Sequence, residues 1–407
     1  YVDGDRERIP YEADAYINQL GHYGCDREYS MARRTIEHLF QNPTWPTEWC
    51  LFMPLLVWAD YEHTGDLRLA DRHYDDLRAK CLLPLARPDG LISTQNVPPE
   101  ILASVHLQCP LKDIVDWPQC ERDGYDLRPI NTVVNAFHYR AVVLLARLAE
   151  ALGKGADARD LNRHAAAVRR AMLERLVDPA QGLFVDGEGS AHISLHGNLF
   201  PLAFGVVPEA TAPGIAAYLG RRGMVCSVYA AQFLLEALYR AGAGEAALAL
   251  LTSTAERSWA HMIYDVGSSI ALEAWDNRFK PNQDWNHAWG AAPANLIPRW
   301  LMGVRPLEPG FGRLLIQPQP GSLAYAEMTL PTIRGPVRVR FNQEPGRTFA
   351  LATDLPANTA ARVLLPRLGR ADAAVVVDGR PVSGVPEGDW IAIDGVGSGP
   401  HAFVRNR

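Results

Sequence analysis

The sequence predicts a mainly α-helical chain in which six helical hairpins close into an α/α barrel over residues 1–305, followed by a small antiparallel β-sandwich over residues 306–407. Three observations carry this reading. From Tyr11 to about Arg305, apolar residues recur at i, i+3 and i+4 in short stretches that end near Gly, Asn or Pro. After Pro306 the pattern changes to short runs rich in β-branched and aromatic residues, separated by Gly, Pro, Asp and Asn. At 407 residues the chain exceeds the size at which one hydrophobic core keeps growing, so two domains are expected.

In chain order, residues 3–14 hold the acids Asp3, Asp5, Glu7, Glu12 and Asp14 and the bases Arg6 and Arg8, broken by Gly4 and Pro10. Such a segment is poor core material and reads as a polar loop feeding a helix. Helical stripes follow: Ala13, Tyr16, Ile17 and Leu20; Met31, Ile36, Leu39 and Phe40; then Leu51, Leu55 and Trp58 before the turn Thr64-Gly65-Asp66. Between 87 and 128 the period lapses into text containing Asp113, Asp116-Trp117 and Asp123, longer than a connector needs, which favours a functional loop. The clearest helix spans 129–152, with Val133, Phe137, Ala141, Leu144 and Leu148 on one face. A second, through Leu161, Ala165, Val168 and Met172, completes an antiparallel hairpin and stops at Asp178-Pro179. Further helices are expected at 197–205, 208–221, 227–241, 243–256 and 285–302. Strands are expected at 314–317, 337–341, 348–353, 362–365, 374–377, 390–393 and 401–404, with Asp378-Gly379 as a hairpin turn.

Composition narrows the function. Hydrophobic residues make up 48% and charged residues 21%, ordinary globular values, and a net charge of −6 offers no basic footprint for nucleic acid. No run approaches the length of a membrane span, and the first residues are charged, so neither a span nor a signal peptide is expected. The chain begins at Tyr1, from which an N-terminal truncation is expected; localisation and oligomeric state stay open. The six cysteines include no Cys-x-x-Cys pair and are expected to be buried, reduced thiols.

Motifs for several chemistries are missing. There is no His-Glu-x-x-His and no Gly-x-Ser-x-Gly; Gly187-Glu188-Gly189 lacks the third glycine of a phosphate cradle, and the spacing of Asp113, Asp116 and Asp123 matches no calcium loop. No metal and no cofactor are expected. What remains is carboxylates beside aromatics: Glu48-Trp49, Asp116-Trp117, Glu273 and Asp276 flanking Trp275, Asp284-Trp285. That is the inventory of a glycosidase, in which one carboxylic acid protonates the leaving oxygen, a second carboxylate acts opposite it, and flat rings receive the sugar.

The segments Asp3 to Asp14, Pro46-Thr47-Glu48-Trp49, Asp116-Trp117, Leu272-Glu273-Ala274-Trp275-Asp276 and Asn286-His287-Ala288-Trp289-Gly290 resemble, in order, the active-site blocks of the α-L-rhamnosidases of glycoside hydrolase family 78. The β-rich tail resembles that family's C-terminal domain. The resemblance implies an (α/α)6 barrel, usually preceded by β-sandwich domains, and hydrolysis of terminal α-L-rhamnosides with inversion. It implies Glu7 as general acid and Glu273 as general base activating water. Asp14 is implied to bind sugar hydroxyls, Asp3 or Asp5 to be the acid preceding the motif, Trp49 and Trp117 to be pocket walls, and His287 to bind sugar. Arg6, Tyr11 and Trp275 complete the expected substrate-binding set. The family's usual Cys-Pro is here Gly4-Asp5, and its Gly-Trp and Gly-Asp pairs are Pro10-Tyr11 and Ala13-Asp14, so the pocket wall differs and the sugar stays open.

Elementary electrostatics adds two expectations. Arg6 and Arg8 should point away from Glu7, toward other acids or substrate, because a close guanidinium would lower the pKa of an acid that must stay protonated. An inverting pair should stand about 6.5–9.5 Å apart. Two rival readings remain: a polysaccharide lyase using Tyr139 with Asn131, Asn135 and His138, or Tyr229 with His196; and a non-catalytic carbohydrate-binding protein.

Overall fold

A computed structural model describes residues 1–407 apart from Asp3, Asp5 and Gln108. The helices are α1 (Glu12–Cys25), α2 (Ser30–Gln41), α3 (Thr47–Thr64), α4 (Arg68–Arg72), α5 (Tyr74–Lys80), α6 (Pro99–Ser104), α7 (Thr132–Ala151), α8 (Gly155–Arg175), α9 (His196–Phe204), α10 (Ala212–Arg222), α11 (Val228–Arg240), α12 (Gly244–Leu251), α13 (Trp259–Tyr264) and α14 (Pro293–Leu296). Helices α1, α3, α7, α9, α11 and α14 pack successively, and α14 returns to α1, closing an inner ring. The composition of α3 shows why it lies inside: residues 49–57 are apolar all round and buried, which no surface helix tolerates. Helix α8, by contrast, buries one stripe of Ala158, Leu161, Ala165, Val168 and Met172 against α7 and faces water with the rest. Rings from successive inner helices fill the lumen, with Phe52, Phe137, Phe200 and Phe233 in mutual contact.

The expected helix at 285–302 is instead three short pieces: a tight turn at Ala288–Ala291, α14, and a wide turn at Ile297–Leu301. Pro293 and Pro298 each lack an N–H and so interrupt a continuous hydrogen-bond ladder.

The C-terminal part is two sheets. One orders its strands Arg380–Ser383, Ala374–Val377, Gly399–Asn406, Thr348–Leu355, Gly335–Glu344, Tyr325–Thr332; the other orders Val385–Glu387, Trp390–Val396, Ala360–Pro366, Arg313–Ile316, Val304–Pro306. Burial alternates along Gly335–Glu344, with Val337, Val339 and Phe341 inward and Arg338 and Arg340 outward. One pair departs from the antiparallel expectation: Arg313–Ile316 runs parallel to Ala360–Pro366. The edge strand Tyr325–Thr332 escapes sequence reading because only Leu330 and Thr332 of its eight residues are buried and it contains Pro331. Asp378 and Gly379, both with positive φ, turn the hairpin as expected. Cys50, Cys81 and Cys226 are buried, but Cys25 and Cys120 are exposed, against expectation. Among the described residues no helix is long and apolar enough to cross a membrane.

Candidate active site

The inner helices present their N-terminal ends to one mouth of the ring, and the loops preceding them build a pocket there. Glu7, Tyr11, Asp14, Trp49, Trp117, Glu273 and His287 all line it, joined by Trp45, Pro46, Ile114 and Trp289. Tyr11 caps α1 in extended conformation, which sends the chain from Glu7 across the mouth while Asp14 enters the first helical turn.

Glu273 sits in a loop, with a side chain only 2% exposed. Three donors hold its Oε2: the Asp284 amide at 2.8 Å, the Lys280 ammonium at 3.0 Å and the Arg6 guanidinium at 3.4 Å. Two cations and an amide make an ionised carboxylate tolerable at that depth. The loop is folded back on itself, since the Glu273 amide donates to the Asp284 carbonyl at 3.2 Å and the Trp289 indole donates to the Glu273 carbonyl at 2.9 Å. Gly290 makes this approach possible: a Cβ there would lie 2.4 Å from the Leu272 carbonyl oxygen.

Glu7 is differently placed, 21% exposed and bonded through Oε1 to the same Arg6 Nη2 at 3.0 Å. Arg6 therefore does not point away from Glu7, contrary to the expectation; it links Glu7, Glu273 and, through Nε at 3.4 Å, Asp284, and because one Nη2 reaches both acids, at 3.0 and 3.4 Å, their bonded oxygens stand closer than the roughly 6.5–9.5 Å expected of an inverting pair. The Glu7 pKa is nonetheless raised. Burial is the largest cause and the Glu273 charge the next, Arg6 pulls the other way, and Asp284 adds to the rise. Burial together with two neighbouring carboxylates outweighs the one guanidinium.

His287 Nε2 lies 3.4 Å from Asp14 Oδ1, and burial, with Lys280 and Arg6 nearby, lowers its pKa to about 3, so it is a neutral ring at ordinary pH. Glu7, Asp284 and His287 bring ligand atoms within 4.8 Å of one another, a set that could hold a metal, but Arg6 occupies the cation's place among these acids.

The aromatic walls are secured from behind. Glu48, fully buried at the start of α3, accepts the amides of Ile114 at 3.1 Å and Val115 at 2.7 Å, fixing the loop that carries Trp117. Asp116 accepts from His196 Nε2 at 2.6 Å and from the Ser227 amide at 3.0 Å and hydroxyl, tying the same loop to the N-terminal ends of α9 and α11. Glu12 accepts the Thr44 amide and hydroxyl and is a buried structural acid.

Two sequence expectations fall elsewhere. Trp275 does not reach the pocket: it is fully buried, donates to the Cys226 carbonyl at 2.8 Å and packs edge-on against Trp259. Trp289 faces the cavity instead. Asp3 and Asp5 lie outside the described residues. Sequence reading gives no role to Lys280 or Trp45; Asp284 and Trp289 enter it only as members of quoted segments, without a role of their own. Asp113, considered for calcium, is bonded to Thr47, Thr94 and Asn131, and Asp123 to Arg222 and the Leu195 amide. Tyr229, a candidate lyase base, is buried behind Trp49 and Trp289, and His196 is committed to Asp116. Tyr139 donates to the Gly205 carbonyl at 3.4 Å, away from the pocket.

Residues 1–301 match the bacterial alpha-L-rhamnosidase 6 hairpin glycosidase domain, and residues 303–379 match the bacterial alpha-L-rhamnosidase C-terminal domain. The chain belongs to the bacterial alpha-L-rhamnosidase family. An alpha-L-rhamnosidase of Alteromonas sp. (strain LOR) is 22% identical over 358 residues, 81% of this chain and 35% of that protein. Among solved structures, the alpha-L-rhamnosidase from Dictyoglumus thermophilum superposes with a TM-score of 0.79 at 20% identity, over 99% of this chain and 46% of that one. The Streptomyces avermitilis alpha-L-rhamnosidase complexed with L-rhamnose gives 0.77 at 19% identity, over 100% of this chain and 39% of that one. The chain thus spans about a third to a half of the length of these relatives, and at these identities the structures establish a shared fold.

Proposed function

We propose that this chain carries the catalytic centre of an inverting glycosidase acting on terminal α-L-rhamnosides, with Glu7 as general acid and Glu273 as general base. One observation carries the reading: two carboxylates at one aromatic-lined pocket bond to the same guanidinium nitrogen, yet their surroundings differ. Glu7, partly exposed and with a raised pKa, is suited to arrive protonated. Glu273, deeper and held by an ammonium, a guanidinium and an amide, is placed to receive a proton from water.

In the reaction, Glu7 donates its proton to the glycosidic oxygen as that bond breaks. Glu273 takes a proton from water as the water's oxygen bonds the anomeric carbon from the opposite face, which inverts the configuration. Trp49, Trp117 and Trp289 offer rings to the sugar's C–H faces, while Asp14 and neutral His287 are placed for its hydroxyls. The names of the family and of its relatives support rhamnose as the sugar. Burial of Tyr229, the commitment of His196 to Asp116 and the bond of Tyr139 to the Gly205 carbonyl count against the bases named for the lyase reading.

The test is release of chromophore from an aryl α-L-rhamnopyranoside, with NMR of the first sugar anomer formed. The expected outcome is the β anomer first, and a fall in kcat of about a thousandfold or more in both Glu7→Gln and Glu273→Gln. Retention of configuration, or near-parental turnover in either variant, would sink the assignment. A chain inert on this substrate but active on another aryl glycoside would keep the carboxylate roles and replace the sugar.

A further inference from the structure

At the opposite end of the ring, between the C-terminal ends of the inner helices and the β-sheets, lies a second and larger cavity of about 1020 Å³. Its walls hold Arg140, Arg240, Arg299 and Arg305 against the carboxylates Glu62 and Glu236. Part of this charge has a structural explanation. Arg240 and Arg299 lie in the last turns of α11 and of the Ile297–Leu301 turn, where cations complement the helix dipole, and both reach Glu236, at 2.8 and 3.6 Å.

Arg140 and Arg305 have no such explanation. Arg140 is in the middle of α7, not at its end, and makes no ion pair or hydrogen bond among the described residues. Arg305 follows the last helix, on strand Val304–Pro306; its guanidinium stacks 4.0 Å from the Trp300 ring, Nη2 donates to Gln317 at 2.7 Å, and buried Nη1 has no acceptor among the described residues. Two more buried donors at the same cavity, the Tyr239 hydroxyl and the Trp300 indole N–H, also lack protein acceptors there. Both are on residues at least nine-tenths buried. Burial first, and the neighbouring guanidiniums after it, pull the Arg140 and Arg305 pKa values down. Buried donors in native proteins are satisfied by protein, water or a ligand, and among the described residues of this cavity three such donors are accompanied by one unpartnered acceptor, Gln319 Oε1. The rim carries Glu209, Glu387 and Asp389, of which Glu387 is neutralised by Arg362.

We propose that this cavity binds a small organic anion, whose carboxylate or phosphate group accepts from Arg305, with Arg140, Tyr239 and Trp300 supplying further donors and the Trp300 ring a flat wall. The site is at the far end of the barrel from the Glu7–Glu273 pocket, shares no residue with it, and stands independently of the proposed reaction.

The test is isothermal titration of the whole chain with inorganic phosphate and, separately, with citrate, at ionic strength held constant with potassium chloride. Saturable binding of either probe is expected; which of them binds tells whether phosphate or carboxylate chemistry is recognised. Arg305→Gln should weaken it at least about tenfold, since charge-assisted hydrogen bonds are lost. Because Arg305 is partly a packing residue, Arg140→Gln serves as the second variant, removing a group that holds no protein partner; it should weaken binding similarly. Glu273→Gln should leave binding unchanged. Absence of saturable binding by either probe, or binding untouched by both arginine substitutions, would overturn the proposal and leave a water-filled cavity.

Discussion

At each end of the inner helical ring some charged side chains are explained by a helix terminus and others are not, and the contrast separates structural carboxylates from those the proposed reaction uses. At the N-terminal end, Glu12, Asp14 and Glu48 occupy first turns, and Arg240 and Arg299 occupy last turns at the other. The helix dipole favours both placements without any reference to catalysis. Glu48 and Glu12 are saturated by backbone amides and a hydroxyl. Glu7, Glu273 and Asp284, by contrast, lie outside the helices and compete for Arg6. An acid that a helix end explains does structural work; an acid that shares its cation with other acids is available for proton transfer.

The sharpest way to break this comparison is to remove one cation at each end. Lys280→Met strips the closer of two cations from Glu273; Lys280 and Glu273 are 7% and 2% exposed, so a buried charge is left poorly compensated. A loss of about 3 kcal/mol of stability is expected. Arg240→Met at the far end leaves Glu236 with Arg299, and Arg240 is 33% exposed, so about 1 kcal/mol is expected. Urea denaturation of both variants measures the difference; equal losses would mean that the Glu7–Glu273 end is no more electrostatically committed than the other.

Glu48 tests the structural class. Glu48→Ala orphans the buried amides of Ile114 and Val115 and should cost about 3 kcal/mol, with weaker substrate binding as the Trp117 loop loosens. Glu48→Gln keeps an acceptor. Burial and the neighbouring Asp113 raise the Glu48 pKa, so its contribution is fully present below its ordinary value of 4.5 and is lost as pH rises through the raised folded value. Thermal denaturation from pH 4 to 8 should therefore show a shallower decline in Glu48→Gln than in the parent. An unchanged slope would place the titration on another group.

Much of the fold was legible because the period changes along the chain: i, i+3, i+4 stripes first, alternation after them. The breaks came where prolines or solvent-facing edges overrule period, as at Pro293, Pro298 and Tyr325–Thr332. At the pocket, short blocks of sequence carried Glu7, Asp14, Trp49, Trp117, Glu273 and His287 to one place. Lys280 was not legible, because a lysine in a polar loop looks solvated until the loop folds back and buries its ammonium against Glu273. Trp275 and Trp289 were exchanged for a related reason. Each indole finds a backbone carbonyl, at Cys226 and at Glu273, and residue type alone does not tell which ring then faces the cavity.

The smallest effect is the most discriminating. No backbone amide among the described residues depends on the Glu7 carboxylate, whose hydrogen bond is to Arg6 alone, so Glu7→Ala and Glu7→Gln should have nearly equal stability, unlike the corresponding pair at Glu48. The Glu7 pKa is raised from 4.5 in the fold, so its contribution is complete below pH 4.5 and declines as pH rises through the folded value. Below that pH the Gln variant and the parent should melt together; at neutral pH the variant should melt higher while its turnover has collapsed. A residue whose neutralisation stabilises the protein and abolishes its chemistry is held against its electrostatic preference for the sake of the reaction. A Glu7→Gln variant less stable than the parent at neutral pH would instead make Glu7 a structural ion-pair partner of Arg6, and the distinction between the two kinds of carboxylate would fail at its central residue.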